Sequence, residues 1–126
     1  MTVLEMTGTI INQTLSILID PGATESFISG GVLKRIKVKV VKQDEFIFME
    51  MASGAKQKVG GKVADDILNL GEFVTWANMY VMTLGSYDVM IGMDWLELHE
   101  AILKCKTKWL SMVNDEGHRC LIVGWN

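Results

Sequence analysis

A chain of 126 residues has room for one domain with a modest hydrophobic core, so the whole of 1–126 is read as a single domain. Its 49% hydrophobic and 21% charged residues exclude intrinsic disorder, and a net charge of -3 gives no electrostatic case for a nucleic-acid partner. No apolar run approaches the roughly 20 residues of a membrane-spanning helix. Met1-Thr2-Val3-Leu4-Glu5 also lacks the basic-then-apolar order of a secretory leader, so the expected location is intracellular and cytoplasmic, with no membrane partner.

One proline and 12 glycines suit many tight turns better than long helices. Apolar residues come in short runs or alternate, which is the strand signal. Thr7 to Ile11 and Thr14 to Ile19 form a predicted hairpin across Asn12-Gln13. Val32 to Ile36 is a short helix candidate, and Lys37 to Val40 alternates as a strand with one wet face. Phe46 to Met51 and Lys56 to Val63 flank the small residues Ala52-Ser53-Gly54-Ala55. Ile67 to Leu70, Phe73 to Thr83 and Val89 to Ile91 continue the strand pattern. Asp94 to Glu100 is a predicted short helix, with Asp94 as its cap and Glu97 three residues on. Ala101 to Cys105, Lys108 to Val113 and Cys120 to Val123 are the last strands. The fold class is therefore all-β, with one or two short helices.

Cys105 and Cys120 are too few for a disulfide framework. Pairing about the turn Asn114-Asp115-Glu116-Gly117 sets Ser111 opposite Cys120, so both cysteines are read as reduced thiols. His99 and His118 lack metal-site spacing and are read as surface or rim histidines.

Two segments echo each other. Ser16-Ile17-Leu18-Ile19-Asp20-Pro21-Gly22 is an apolar strand running into a turn, and Asp88-Val89-Met90-Ile91-Gly92-Met93-Asp94 is another. The echo suggests a pseudo-symmetric β fold. Pro21 fixes its own φ and biases Asp20 toward extended geometry, while Gly22 allows close backbone approach. A carboxylate is thus held on a rigid loop beside an apolar strand. From these three residues alone, an ordinary turn aspartate is the better reading of Asp20.

The wider pattern carries more. Asp20-Pro21-Gly22-Ala23-Thr24, followed by Ser26-Phe27-Ile28-Ser29, resembles the active-site loop of retropepsin-like aspartic proteases, nearest to the Ty3/gypsy-type retrotransposons of plants. Tyr87-Asp88-Val89-Met90-Ile91-Gly92-Met93-Asp94-Trp95-Leu96 resembles that family's second signature. The resemblance implies a closed β fold with one lobe per chain and an endopeptidase of retroelement polyproteins, in a retroelement particle. It implies a homodimer that pairs the Asp20 carboxylates of two copies around a water, with no metal or organic cofactor. An extended polypeptide substrate would lie under a flap at Met51, Ala52, Ser53 and Gly54, with Ile91 and Gly92 as candidate pocket residues, together with Met90 and Met93. Many family members have Ser or Thr where this chain has Pro21, and that hydroxyl braces the two loops across the dimer axis. The alternative reading is a catalytically silent module of the same fold, kept for dimerisation or peptide binding. The Lys and Arg residues are scattered and no Cys/His knuckle is present, which argues against a nucleic-acid-binding piece.

Overall fold

The computed structural model describes residues 4–37, 40–50, 56–71, 73–83, 85–104, 106–114 and 116–123. The chain opens with an antiparallel hairpin. β1 (Leu4–Ile10) and β2 (Gln13–Ile19) pair in register from Leu4↔Ile19 to Ile10↔Gln13. Leu4, Met6 and Ile10 turn inward at 2% exposure or less, with Gly8 buried beside them, while Glu5, Thr7 and Thr9 face out, as a half-wet strand requires. The turn falls on Ile11-Asn12, with φ of 48° and 62°. That is one residue earlier than the expected Asn12-Gln13. A two-residue hairpin turn needs positive φ at both positions. Asn12 tolerates that conformation, whereas the β-branched Ile11 is strained in it and leaves its side chain exposed.

Beyond the loop at residues 20–26 lies β3 (Phe27–Ser29), followed by a 3-10 turn at Val32–Lys34. β4 (Val40–Glu50), β5 (Lys56–Leu70) and β6 (Phe73–Met82) form a meander. β7 (Val89–Ile91) and helix α1 (Met93–Leu98) follow, then β8 (Ile102–Lys104), β9 (Trp109–Val113) and β10 (Arg119–Val123). The large sheet runs β1-β2-β7-β3-β6-β5-β4, and β1 also meets β5 at Thr9↔Asn69. Six strands thereby close into a barrel, with β4 extending β5 beyond it. β10, β9 and β8 make a separate three-stranded sheet. Its Leu110, Met112 and Ile122 join the same apolar core as Ile17, Ile19, Ile28, Val89 and Ile91 of the barrel.

Closure depends on Gly8. A Cβ there would stand 2.7 Å from the Asn69 carbonyl oxygen, and it would also collide with the end of Ile17. Only a residue without a side chain lets β1 approach β5 this closely. Gly8→Ala is expected to cost about 1–3 kcal/mol by overpacking, read as a lower melting temperature with the circular dichroism spectrum unchanged.

Some boundaries differ from the sequence reading. Lys56 to Val63 and Ile67 to Leu70 are one strand, β5, because the ladder to β6 continues across a register shift between Val63 and Asp66. Residues 38 and 39 of the expected strand at Lys37 to Val40 lie outside the described residues. The last hairpin pairs Cys120 with Met112, and Leu121 stands opposite Ser111. The one-residue offset arises because His118 belongs to the loop. The Asn114 side-chain oxygen accepts the Glu116 and His118 N–H groups at 3.0 and 2.9 Å, which holds His118 in the loop. Cys120 is a free thiol, while Cys105 lies outside the described residues.

His99 is not a rim residue. It is 7% exposed and its ring stacks on Trp95 at 4.3 Å between centroids. Nδ1 lies 3.0 Å from the Trp95 carbonyl oxygen and Nε2 lies 3.2 Å from Thr75 Oγ1, which also accepts Trp95 Nε1–H at 3.0 Å. These bonds satisfy every polar atom of a buried imidazole and fasten α1 to β6. His118 is exposed and sits 3.6 Å from Glu116.

Candidate active site

The two echoing segments lie side by side. β2 and β7 pair in parallel through Ile17↔Val89, Leu18↔Met90 and Ile19↔Ile91, and β7 is also antiparallel to β3. The loop from β2 to β3 therefore has to cross over the end of β7. Asp20 opens that loop. Its N–H donates to the Ile91 carbonyl at 2.9 Å, which extends the β2–β7 ladder by one step. Its carboxylate Oδ1 accepts the Gly22 N–H at 2.9 Å, and its carbonyl accepts the Ala23 N–H at 3.1 Å. Asp20 is half-buried, as are Pro21 and Ala23, whereas Gly22 and Thr24 are exposed. The carboxylate is thus oriented by its own turn and remains open to a ligand.

What holds the loop in place comes from the second segment. Met93 N–H and Asp94 N–H, at the start of α1, donate to the carbonyls of Ala23 and Thr24 at 2.8 and 3.1 Å. The Asp94 carboxylate accepts Ser26 N–H at 3.1 Å, Ser26 O–H at 2.6 Å and Trp95 N–H at 2.7 Å. Ser26 Oγ in turn accepts Gly92 N–H at 3.0 Å. Asp94 is therefore not the helix cap that was expected. The cap position is Gly92, which makes no side-chain bond, and Asp94 turns its carboxylate outward to the loop. Gly92 itself is pressed under that loop: a Cβ there would lie 2.8 Å from the Ala23 carbonyl oxygen and collide with that of Glu25.

At the far ends of the same two strands, Asp88 plays a bracing part. Its carboxylate accepts Ser16 N–H at 2.9 Å and pairs with Arg35 at 3.0 Å. The neighbouring Tyr87 O–H donates to the Glu5 carboxylate, and this hydrogen bond, reinforced by partial desolvation and the Glu5 charge, raises the phenol above its ordinary range.

Strand alternation decides which side chains share the face of Asp20. Ile17, Ile19, Val89 and Ile91 all point into the barrel with no exposed surface. Leu18, Met90 and Phe27 take the opposite face, and Asp20 follows Ile19 onto it. There a second apolar cluster forms from Phe27 and Met82, with Ala23, Tyr80 and Met90 packed against it. The rings of Phe27 and Tyr80 lie 6.2 Å apart, and Lys62 Nζ sits 5.5 Å over Tyr80. Of the candidate pocket residues, Ile91 thus lies in the core and Gly92 beneath the loop, whereas Met90 shares the face of Asp20. Met93 and Pro21 line a small groove on another side of the loop, with Leu96, Ala101 and Leu103. Met51, Ala52, Ser53 and Gly54, the candidate flap, lie outside the described residues. Among the described residues no cluster of His, Cys, Asp and Glu could hold a metal ion.

Ser26, Thr75 and His99 hold the site together, yet sequence reasoning gave none of them that role. Ser26 stood inside the motif, but nothing in its spacing marks Asp94 as its partner 68 residues away.

Comparison with solved structures matches the retroviral protease-like domain of Ddi1 from Leishmania major. The TM-score is 0.71 at 19% identity, over 100% of this chain and 96% of that one. The likeness establishes the fold: a retroviral protease-like closed β architecture. Among curated proteins no sequence match is found. A family model described as the PEG10/RTL1 protease domain matches residues 16–120, which spans both the Asp20 loop and the α1 segment that holds it. The chain belongs to the PEG10/RTL1 protease domain family.

Proposed function

We propose that this chain is an aspartic endopeptidase that works as a homodimer on an extended polypeptide, with Asp20 as its catalytic residue. The observation that carries the reading is the placement of Asp20. It sits on a loop fixed by backbone bonds to Ile91 and α1, with its carboxylate open beside the apolar floor of Ala23, Phe27 and Met90. One such loop per chain supplies one carboxylate, and peptide hydrolysis by this chemistry uses two. A second copy meets the first at a two-fold axis and contributes its own Asp20.

Two adjacent carboxylates cannot both ionise readily, so they share a proton; aspartic proteases are a general example of that effect. The ionised member takes a proton from a water molecule, and the water oxygen attacks the peptide carbonyl. The protonated member donates a hydrogen bond to the developing oxyanion. The amide nitrogen then takes up a proton as the C–N bond breaks, and the new acid and amine leave. The resemblance of the loop to plant Ty3/gypsy-type elements supports a retroelement polyprotein as the substrate and a retroelement particle as the setting.

A second reading is supported by Pro21. This residue offers neither a hydroxyl nor an N–H to brace the paired loops, which favours a weak dimer or a silent module of the same fold. A peptide-cleavage assay at mildly acid pH, with and without a statine-type inhibitor, separates the two readings. Specific activity is expected to fall on dilution, in step with the monomer fraction from sedimentation. Constant specific activity in a sample that sediments only as monomer would rule out the shared site.

A further inference from the structure

One row of side chains crosses the face on which Asp20 stands. Cross-strand partners share a face of a sheet, and the register joins Leu18 of β2, Met90 of β7, Phe27 of β3, Tyr80 of β6 and Lys62 of β5 in that order. Their neighbours along the strands, among them Ile91, Ile28, Met79 and Val63, point into the barrel. Every member of the row but Lys62 is apolar or aromatic. The Lys62 side chain is half-buried and folds back over the row, its Nζ 5.5 Å from the centre of the Tyr80 ring. Tyr80 packs in turn against Phe27 and against the cluster that reaches Ala23 and Met90 beside Asp20. Among the described residues no carboxylate lies within 4 Å of the Lys62 ammonium, and Glu25 of the Asp20 loop forms no ion pair either.

We infer that Lys62 is a specificity-determining residue, which selects substrates carrying an acidic side chain on the apolar floor a few residues from the scissile bond. The inference rests on the endopeptidase reading above and deepens it by naming the class of peptide. An extended strand laid on the floor points alternate side chains down onto it. A side chain that lies over Phe27 and Tyr80 buries its stem against their rings and brings its end to Lys62. An apolar end there leaves a half-desolvated ammonium with only a ring to face. A carboxylate gives it the counter-ion that the described residues do not supply. A hydrogen bond between charged groups is also roughly twice as strong as one between neutral groups.

The geometry of the row sets where in the substrate the selection falls. Adjacent strands lie about 4.8 Å apart, so Tyr80, three strands along from Leu18, is about 14 Å away across the sheet. The Asp20 loop crosses over β7 toward β3, which shortens the path from the carboxylate. At about 3.3 Å per extended residue, the selected side chain lies roughly two to four residues from the bond that is cut. A two-fold axis through the paired Asp20 residues carries one Lys62 to each side. The preference therefore falls at matching distances before and after the scissile bond. A substrate Lys or Arg at those positions meets a like charge and is rejected.

The test is cleavage of extended decapeptides that share one neutral sequence and carry Glu, Gln or Lys at one position at a time, read as kcat/KM. Wild type is expected to favour Glu over Gln roughly tenfold at the selected positions, and to cleave the Lys peptides least. Lys62→Met keeps an apolar stem over Tyr80 and is expected to abolish the discrimination between Glu and Gln. Lys62→Glu is expected to reverse it, so that the Lys peptides become the best substrates. Lys104→Met, a charge lost from the separate three-stranded sheet, leaves the preference as in wild type. A ratio measured within one variant is insensitive to a uniform loss of activity, and thermal melts show whether each variant is folded. Equal cleavage of Glu and Gln peptides by wild type at every position, or a preference for Glu that survives Lys62→Met, overturns the inference and leaves the endopeptidase standing. A protein that cleaves none of the peptides, at any concentration or pH, refutes the endopeptidase and this inference with it.

Discussion

Asp20→Asn is expected to abolish peptide cleavage, by roughly three orders of magnitude or more, in a protein that folds as the wild type does. The argument for retained folding is local. The asparagine side-chain oxygen can still accept the Gly22 N–H, and the backbone bond from residue 20 to the Ile91 carbonyl does not involve the side chain. A half-exposed position of this kind changes stability by about 0.5 kcal/mol or less, which thermal melts would resolve. The argument for lost activity is chemical. An amide takes no proton from water at working pH, and substituting both copies removes the proton-sharing pair entirely. Full cleavage by a folded Asp20→Asn protein would refute Asp20 as the catalytic residue. A loss of cleavage with a large fall in melting temperature would show a structural role instead.

The parts of this architecture that could be read from sequence are those whose cause is local. β7 occupies Val89–Ile91 as the apolar run predicts, because a short run bounded by Asp88 and Gly92 leaves little freedom in its ends. The turn at Asp20-Pro21-Gly22 has its own conformational logic. The internal echo has a concrete counterpart, since its two halves pair strand to strand in parallel. What sequence could not supply depends on contacts between distant residues. β4 and β5 are longer than their apolar patterns suggest because each passes through a register shift, between Lys42 and Ile47 and between Val63 and Asp66. Polar residues at those shifts break the period while the ladder continues. His99 looked like a rim residue because nothing near it in sequence discloses Thr75, its partner from another strand. Ile91 looked available to a ligand because alternation fixes which residues share a face, and only the register with β2 tells which face is the core.

The same dependence on distant contacts makes Asp94 the second most sensitive position. Read as a helix cap, its loss would cost about 1 kcal/mol. In the structure its carboxylate instead collects three hydrogen bonds, two from Ser26 and one from Trp95 N–H. Bonds to a charged acceptor contribute about 1.5–3 kcal/mol each, with strong non-additivity within one network. Asp94→Ala is therefore expected to cost about 3 kcal/mol overall. It should also lower activity at temperatures where the variant is fully folded, because Ser26 closes the loop that begins at Asp20. Asp94→Asn retains an acceptor and should fall between the two. Ser26→Ala removes the hydroxyl bonds to Asp94 and Gly92 while keeping the backbone one. The double-mutant cycle of Asp94→Ala with Ser26→Ala should show a coupling of about 1–2 kcal/mol. Strictly additive losses would mean that the two residues stabilise the fold separately, and would take away the physical link from α1 to the Asp20 loop. An Asp94→Ala protein with lowered stability but undiminished turnover would place the network in the scaffold alone, leaving the backbone bonds from Met93 and Asp94 to Ala23 and Thr24 as sufficient to hold Asp20 in position.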